Sequence, residues 1–154
     1  AYQFHHSNVG GIEDAEIKKF TDELKAQTNV ILHGPVAAAE LSKAYHSVDV
    51  FLICYDIQKD QSRGTNYHKV MEYLSTGKVI VTNNITTYQE MTDLIVMCKS
   101  RLNNHEMPAL FKKVIDNLSY YNSSNLISKR KSVASQNTYA KQLHQIEQQL
   151  DQLF

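Results

Sequence analysis

Four short apolar runs rich in β-branched residues are the feature that most constrains how this chain can fold. They cover residues 29–32, 48–54, 79–82 and 94–97. Each run is apolar on both faces, as a strand buried in a parallel sheet must be. Residues 2–6 predict one further strand ahead of these four. The chain therefore contains the strands of a buried, mostly parallel sheet.

Helical stretches separate the runs, and each has one apolar stripe at helical spacing. The stripes are Ile17, Phe20 and Leu24; Leu41, Ala44 and Tyr45; and Val70, Tyr73 and Leu74. Acidic Glu13 and Asp14 stand in the first turn of the first helix, and Gly77 is placed to end the third. Alternating strands and helices predict an α/β fold of the Rossmann-like kind, with helices on both faces of the sheet.

From about residue 103 the pattern becomes all helical. One helix has an apolar face (Leu110, Phe111, Val114, Ile115 and Leu118), and a polar break at 122–125 precedes a short helix with Leu126 and Ile127. A last stripe comprises Tyr139, Leu143, Ile146, Leu150 and Leu153. That stripe favours a helix packed on its own domain; the alternative is a helix that meets a missing domain or another copy of the chain. We expect one domain over 1–154, with an α/β core at 1–100 and a helical segment at 101–154.

Length and charge limit the function classes. The chain has 154 residues, enough for one domain, and 16 basic residues balance 16 acidic ones. This balance argues against a nucleic-acid partner. The basic cluster Lys129-Arg130-Lys131 predicts a solvated helix face, with a weak peripheral contact to anionic lipid as the alternative. No apolar stretch is long enough to cross a bilayer. The chain starts without Met inside an apparent strand, so we expect a piece of a longer protein.

Two cysteines lie in apolar runs. Cys54 and Cys98 have no spacing typical of a disulfide framework or a zinc site. They predict buried free thiols in a reducing compartment.

Ligands of open parallel sheets bind beyond the carboxyl ends of the strands. The longest loop at that edge holds Arg63 and leads into a helix that Thr65 or Asn66 can cap. The first turn of this helix contains no acid and does contain His68 and Lys69. Free backbone N–H groups, the positive helix end and a nearby cation are what a phosphate needs. The sequence therefore predicts an anion site here, to which Arg63 and Lys69 add charge.

Lys69 and Glu72 are three residues apart and share a helix face. They could contact the phosphate and the ribose of one nucleotide, or form an ordinary surface ion pair, which spacing alone favours. Of the seven histidines, His33 and His68 stand at the ligand edge. No metal-binding set and no catalytic triad can be assembled from the sequence.

Longer motifs carry a resemblance. The run NVILHGPV at 29–36 is followed by Leu41, Ala44-Tyr45 and VDVFL at 48–52, and then by KVMEYLSTGKVIVT at 69–82. In order and spacing this resembles the carboxyl-terminal, nucleotide-sugar-binding half of GT-B glycosyltransferases (group 1-like), with their K-x-x-E-Y-L motif. The late helix also fits, since Tyr139 stands where a Trp is common. The resemblance covers nearly the whole chain.

The resemblance implies a set of roles. Glu72 would hold the donor ribose, residues 65–69 would face the diphosphate, residues 33–36 would lie over the base, and Gly10 and Gly11 would form the glycine loop. With the anion-site argument, the expected nucleotide-sugar site comprises Glu72, Lys69, Thr65, Asn66, Arg63, Gly34, Val36, Gly10 and Gly11, with His33 and His68 as further candidates. Catalytic residues are not assigned, because in this family catalysis occurs between two domains.

The family also implies the wider function. We expect the donor-binding half of a hexosyltransferase that takes a nucleotide-diphospho-sugar, a UDP-sugar first, and needs no bound metal or other cofactor. A missing amino-terminal acceptor domain would be its partner, and the last helix offers a route to oligomers. We expect a cytoplasmic location, at the inner membrane face in some members, and a role in polysaccharide biosynthesis. Gly64 and Val79 depart from the family, where Glu and Pro are common. The alternatives are a nucleotide-binding or interaction module without turnover, or a GT-B sugar-nucleotide epimerase.

Overall fold

The computed structural model describes residues 15–34, 36–58 and 68–151, in two compact units that divide after Ala44. The predictions for residues 2–6, for Glu13 and Asp14 and for Leu153 lie outside these ranges. The described residues of the first unit form two helices, α1 (Ala15–Lys25) and α2 (Ala38–Ala44). Both were predicted from their apolar stripes. The exposed face of α1 carries an ion pair of 2.9 Å between Lys18 and Asp22, one turn apart.

Residues 29–32 differ from the prediction, because they form no strand. Ile31 is 75% exposed, whereas a strand buried on both faces would cover it. A parallel strand is stable only beside another strand, and the described residues of the first unit provide two helices and no strand. The apolar run alone was too short to distinguish these outcomes.

The second unit holds the sheet and five helices among its described residues. Its elements are β1 (Val50–Ile53), α3 (His68–Thr76), β2 (Val79–Thr82), β3 (Ile95–Met97), α4 (Met107–Asp116), α5 (Leu118–Tyr121), α6 (Ser124–Gln136) and α7 (Tyr139–Asp151). Two single 3₁₀ turns, Tyr45–Ser47 and Thr86–Tyr88, precede β1 and follow β2. The three predicted strands of this unit are confirmed, each within two residues of its expected ends.

The sheet is parallel throughout, in the order β1-β2-β3. Val50 lies opposite Val79, and Ile80 lies opposite Ile95. All four residues of β2 are buried, as expected of a central strand covered on both faces. The chain is therefore an α/β protein with a parallel sheet, which confirms the predicted fold class at this level.

Two apolar clusters cover the two faces of the sheet. On one face, Phe51, Ile80 and Ile95 pack with Val70 and Leu74 of α3 and with partly buried residues of α6. On the other, Val79 and Val81 pack with Met107 and Val114 of α4. The stripe Val70, Tyr73 and Leu74 is buried as predicted, while Ile115 of α4 is 47% exposed.

Gly77 ends α3 as predicted. Its φ is +82°, a left-handed conformation that favours glycine. A Cβ at this position would lie 2.6 Å from Cγ2 of Ile127 in α6. The absence of a side chain therefore serves two purposes: it permits the turn and lets α6 approach α3.

Arg130 corrects the prediction of a solvated basic cluster. Lys129 and Lys131 are exposed, but Arg130 is fully buried. Its guanidinium donates hydrogen bonds to three backbone carbonyls, those of Leu94 (2.8 Å), Gly77 (2.9 Å) and Tyr121 (2.7 Å). Burial lowers the pKa of Arg130 to about 10, so the side chain stays charged at neutral pH. Three consecutive basic residues in the sequence do not reveal that the side chain of the middle residue, Arg130, faces inward.

The thiols and the last helix also differ from expectation. Both cysteines are free, but Cys54 is exposed and Cys98 is buried, because Cys54 follows β1 at the rim of the sheet. In α7 the apolar stripe does not pack on its own domain: Tyr139, Leu143, Ile146 and Leu150 are all at least half exposed. Contact of this stripe with another domain or copy stays a prediction. Among the described residues, no helix is both long and apolar enough to cross a membrane.

Candidate functional site at the carboxyl edge of the sheet

The carboxyl edge of the sheet is formed by the residues that follow Ile53, Thr82 and Met97. Because α3 ends at Thr76, just before β2 begins, its amino end lies towards this same edge. Ligands of open parallel sheets bind at such an edge. The loops after the strands and the first turns of α3 therefore form the candidate binding region.

An asparagine pair, Asn83 and Asn104, fixes the backbone where β1 ends. The Asn83 carboxamide accepts a hydrogen bond from Tyr55 N–H (2.7 Å) and donates to the Tyr55 carbonyl (3.1 Å) and to Asn104 Oδ1 (2.8 Å). The Asn104 amide donates to the same Tyr55 carbonyl (2.9 Å). Asn83 is only 2% exposed, so these bonds satisfy a buried amide. The asparagine pair thus holds the start of the β1–α3 loop in one position.

Asn84 fixes the backbone after β3 in a similar way. Its amide donates to the carbonyls of Cys98 (2.9 Å) and Lys99 (3.1 Å), and its oxygen accepts a bond from Gln89 (2.9 Å). Neighbouring asparagines after β2 therefore fix the chain leaving both flanking strands. Sites on a rigid support keep their geometry, which is what ligand recognition at this edge requires.

The first turn of α3 contains no acid. Lys69 is half-buried and Glu72 is exposed, on adjacent turns of one helix face. Within the described ranges no carboxylate lies within 4.0 Å of the Lys69 ammonium, so the two side chains do not form the surface ion pair that spacing alone favoured. Glu72 instead accepts a hydrogen bond of 3.4 Å from the Tyr45 hydroxyl.

An aromatic cluster of Tyr45, Phe51 and Tyr73 supports this face of α3. Phe51 and Tyr73 are stacked with ring centroids 4.0 Å apart, and Tyr45 meets both rings edge-on at 5.5 and 5.3 Å. Burial, and then the charge of Glu72, raises the pKa of Tyr45, while burial raises the pKa of Tyr73. Tyr45 therefore stays protonated and keeps donating to Glu72.

The other predicted site residues fall in three groups. His33 and Gly34 are exposed and Val36 is half-buried, all in the first unit, and Gly34 is left-handed with φ +67°. His68 is the first residue of α3. The remaining candidates, Arg63, Thr65, Asn66, Gly10 and Gly11, lie outside the described residues.

Sequence reasoning missed the supporting residues. Asn83 directly follows a predicted strand, which was a usable signal, but Asn104 and Tyr45 lie 21 and 27 residues from their partners. Among residues 15–34, 36–58 and 68–151, no three His, Cys, Asp or Glu side chains come together as a metal site.

Comparison with known proteins adds no family. No protein-family model, no curated protein and no solved structure matches the chain.

Proposed function

We propose that the chain is the donor-binding half of a GT-B glycosyltransferase and binds a nucleotide-diphospho-sugar, with a UDP-sugar as the first candidate. The proposal is supported by the motif resemblance at 29–82 and by the parallel α/β unit. The observation that carries it is the state of Lys69 and Glu72: they share a face of α3 without neutralising each other. A cation and a carboxylate that are not paired with each other suit a phosphate and a pair of ribose hydroxyls.

The chemistry follows from the charges. The amino end of α3 and the Lys69 ammonium would stabilise the negative charge that develops on a departing nucleoside diphosphate. Glu72, oriented by Tyr45, would accept hydrogen bonds from the ribose. Activation of an acceptor would fall to a second domain, so this chain alone is expected to bind the donor without transferring its sugar.

The test measures the binding of two ligands to each of two variants. Thermal unfolding is followed with UDP and with uridine, after a first comparison of UDP, GDP, TDP and ADP at millimolar concentration. A ligand at 100 times its dissociation constant stabilises a fold by about 2.7 kcal/mol, which raises Tm by roughly 5–10 °C at this chain length. Lys69→Met should weaken UDP binding about tenfold or more and leave uridine unaffected, whereas Glu72→Gln should weaken both ligands alike.

Glu147→Gln provides the matched control, because Glu147 is also an exposed helical glutamate, in α7. Its unfolding with UDP should follow the parent. An absence of any shift with all four nucleotides would refute donor binding by this chain. Equal effects of Glu72→Gln and Glu147→Gln would refute the ribose role. Binding without any transfer after an acceptor domain is supplied would favour the interaction module or the epimerase.

A further inference from the structure

The free edge of β3 offers backbone groups that the sheet does not use. Cys98 N–H donates to the Thr82 carbonyl (3.1 Å), which directs residues 96 and 98 towards β2. Parallel pairing then turns the alternate residues, Ile95 and Met97, to the opposite side. The Ile95 N–H bonds to the Met91 carbonyl (3.1 Å). In the described part of the chain, the N–H and carbonyl of half-buried Met97 remain for another strand, whereas Ile95 is only 1% exposed and its carbonyl is covered.

A groove lies along this edge. It has a volume of about 340 Å³ and is lined by β3 with Cys98 and Lys99, by Asn84, Gln89 and Thr92 of the β2–β3 connection, and by Lys113 and Tyr121 of α4 and α5. Asn84 fixes the Cys98 and Lys99 carbonyls just after β3. An extended peptide that adds to a strand edge directs its side chains alternately to either side of the edge, and a groove along that edge can receive them.

The charge of the groove is of one sign. Its lining contains two lysines, Lys99 and Lys113, and no carboxylate. Both lysines are exposed. The nearby Glu106 carboxylate accepts the Lys99 N–H (3.2 Å) but is not part of the lining. Edge strands often carry lysines simply to prevent pairing with other chains. Here the two lysines line a groove that has no carboxylate in its lining, where they would also attract acids.

We propose that this groove binds an acidic peptide segment in extended conformation, which adds to β3 as a fourth strand. The Met97 N–H and carbonyl would pair with its backbone, and Lys99 and Lys113 would pair with its carboxylates. This inference does not depend on nucleotide binding, because the groove lies along β3 and contains neither Lys69 nor Glu72.

The test begins with selection of random decapeptides on phage against the full chain. Selected sequences should be acidic, rich in β-branched residues and free of Pro over the binding stretch. Two synthetic forms of a selected peptide are then compared, N-methylated at odd or at even residues, because methylation blocks one edge of a strand at a time. One form should bind like the parent peptide, and the other should bind at least tenfold more weakly.

Lysine variants test the charge. Lys99→Gln and Lys113→Gln should each weaken binding severalfold at low salt. Lys112→Gln is the matched control, since Lys112 is the neighbouring exposed lysine on α4, pairs with Asp116 (2.8 Å) and does not line the groove. Recovery of neutral or basic peptides, equal binding of both methylated forms, or equal effects of the three variants would overturn the proposal. Concentration-dependent dimers of the free chain that compete with the peptide would replace it with pairing between copies.

Discussion

Arg130→Met is the substitution that tests most directly how much the buried hydrogen bonds of Arg130 stabilise the core. Arg130 is fully buried and supplies donors to the carbonyls of Leu94, Gly77 and Tyr121. Methionine is shorter but keeps an unbranched apolar stem, and it removes all three bonds. Hydrogen bonds to charged groups contribute about 1.5–3 kcal/mol each. We take the lower end, because burial of the cation is itself unfavourable, as its pKa of about 10 indicates. The expected loss of unfolding free energy is about 4 kcal/mol.

Urea unfolding followed by circular dichroism measures this loss. With a slope of about 2 kcal/mol per molar urea, the midpoint should fall by about 2 M. Lys129→Met is the matched control, because Lys129 is the exposed neighbour of Arg130 in α6, and its midpoint should stay within about 0.3 M of the parent. If Arg130→Met leaves too little folded protein, Arg130→Lys, which keeps the charge but not the fork of donors, should show roughly half the loss. Equal midpoints for Arg130→Met and Lys129→Met would show that the Arg130 hydrogen bonds do not stabilise the core.

Three further outcomes follow from other residues. Thr82→Val should raise the unfolding free energy by about 1 kcal/mol, because the Thr82 hydroxyl is buried without a partner among the described residues. Thr76→Val removes a hydroxyl that is bonded to two backbone groups, so it should lower the unfolding free energy in the same urea assay. Gly77→Ala should lower the thermal midpoint far more than Gly34→Ala, since both have positive φ but only at Gly77 does the added Cβ meet a side chain. Burial raises the pKa of Tyr73 in the fold, so its contribution is complete below about pH 10 and is lost above it; stability should fall in alkaline buffer, and less steeply in Tyr73→Phe.

Strong local signals explain what could be predicted. The α3 stripe and the buried strand β2 each have a clear apolar pattern, and Gly77 marks the boundary between them. Such a pattern can be recognised within a single segment, because it reflects which faces of that segment are buried. The parallel pairing of β1 with β2 followed from α3 between them, whereas the 3₁₀ turn Thr86–Tyr88 is the helical element described between β2 and β3.

Contacts between residues far apart in the sequence explain what could not be predicted. The inward orientation of Arg130 depends on carbonyls 36 and 53 residues away, and its sequence neighbours are both lysines. The asparagine pair joins residues 21 apart. Residues 29–32 had the composition of a strand, but a strand forms only if its neighbour lies beside it. The roles of Lys69 and Glu72 stay predictions, although the ion pair that competed with them is not formed.

The asparagine pair has a consequence for how the loop after β1 exchanges with solvent. It bonds the N–H and the carbonyl of Tyr55 at once, so opening this peptide must break bonds to two buried or half-buried side chains together. Three residues further on, the Gln58 N–H bonds to the exposed Asp56 carboxylate (2.9 Å) and to no other described residue. Amide hydrogen exchange should therefore change abruptly between two nearby residues, with Tyr55 exchanging almost as slowly as β2 and Gln58 exchanging within local fluctuations. Opening of the chain at Gln58 would then leave Tyr55 and the edge of the sheet in place.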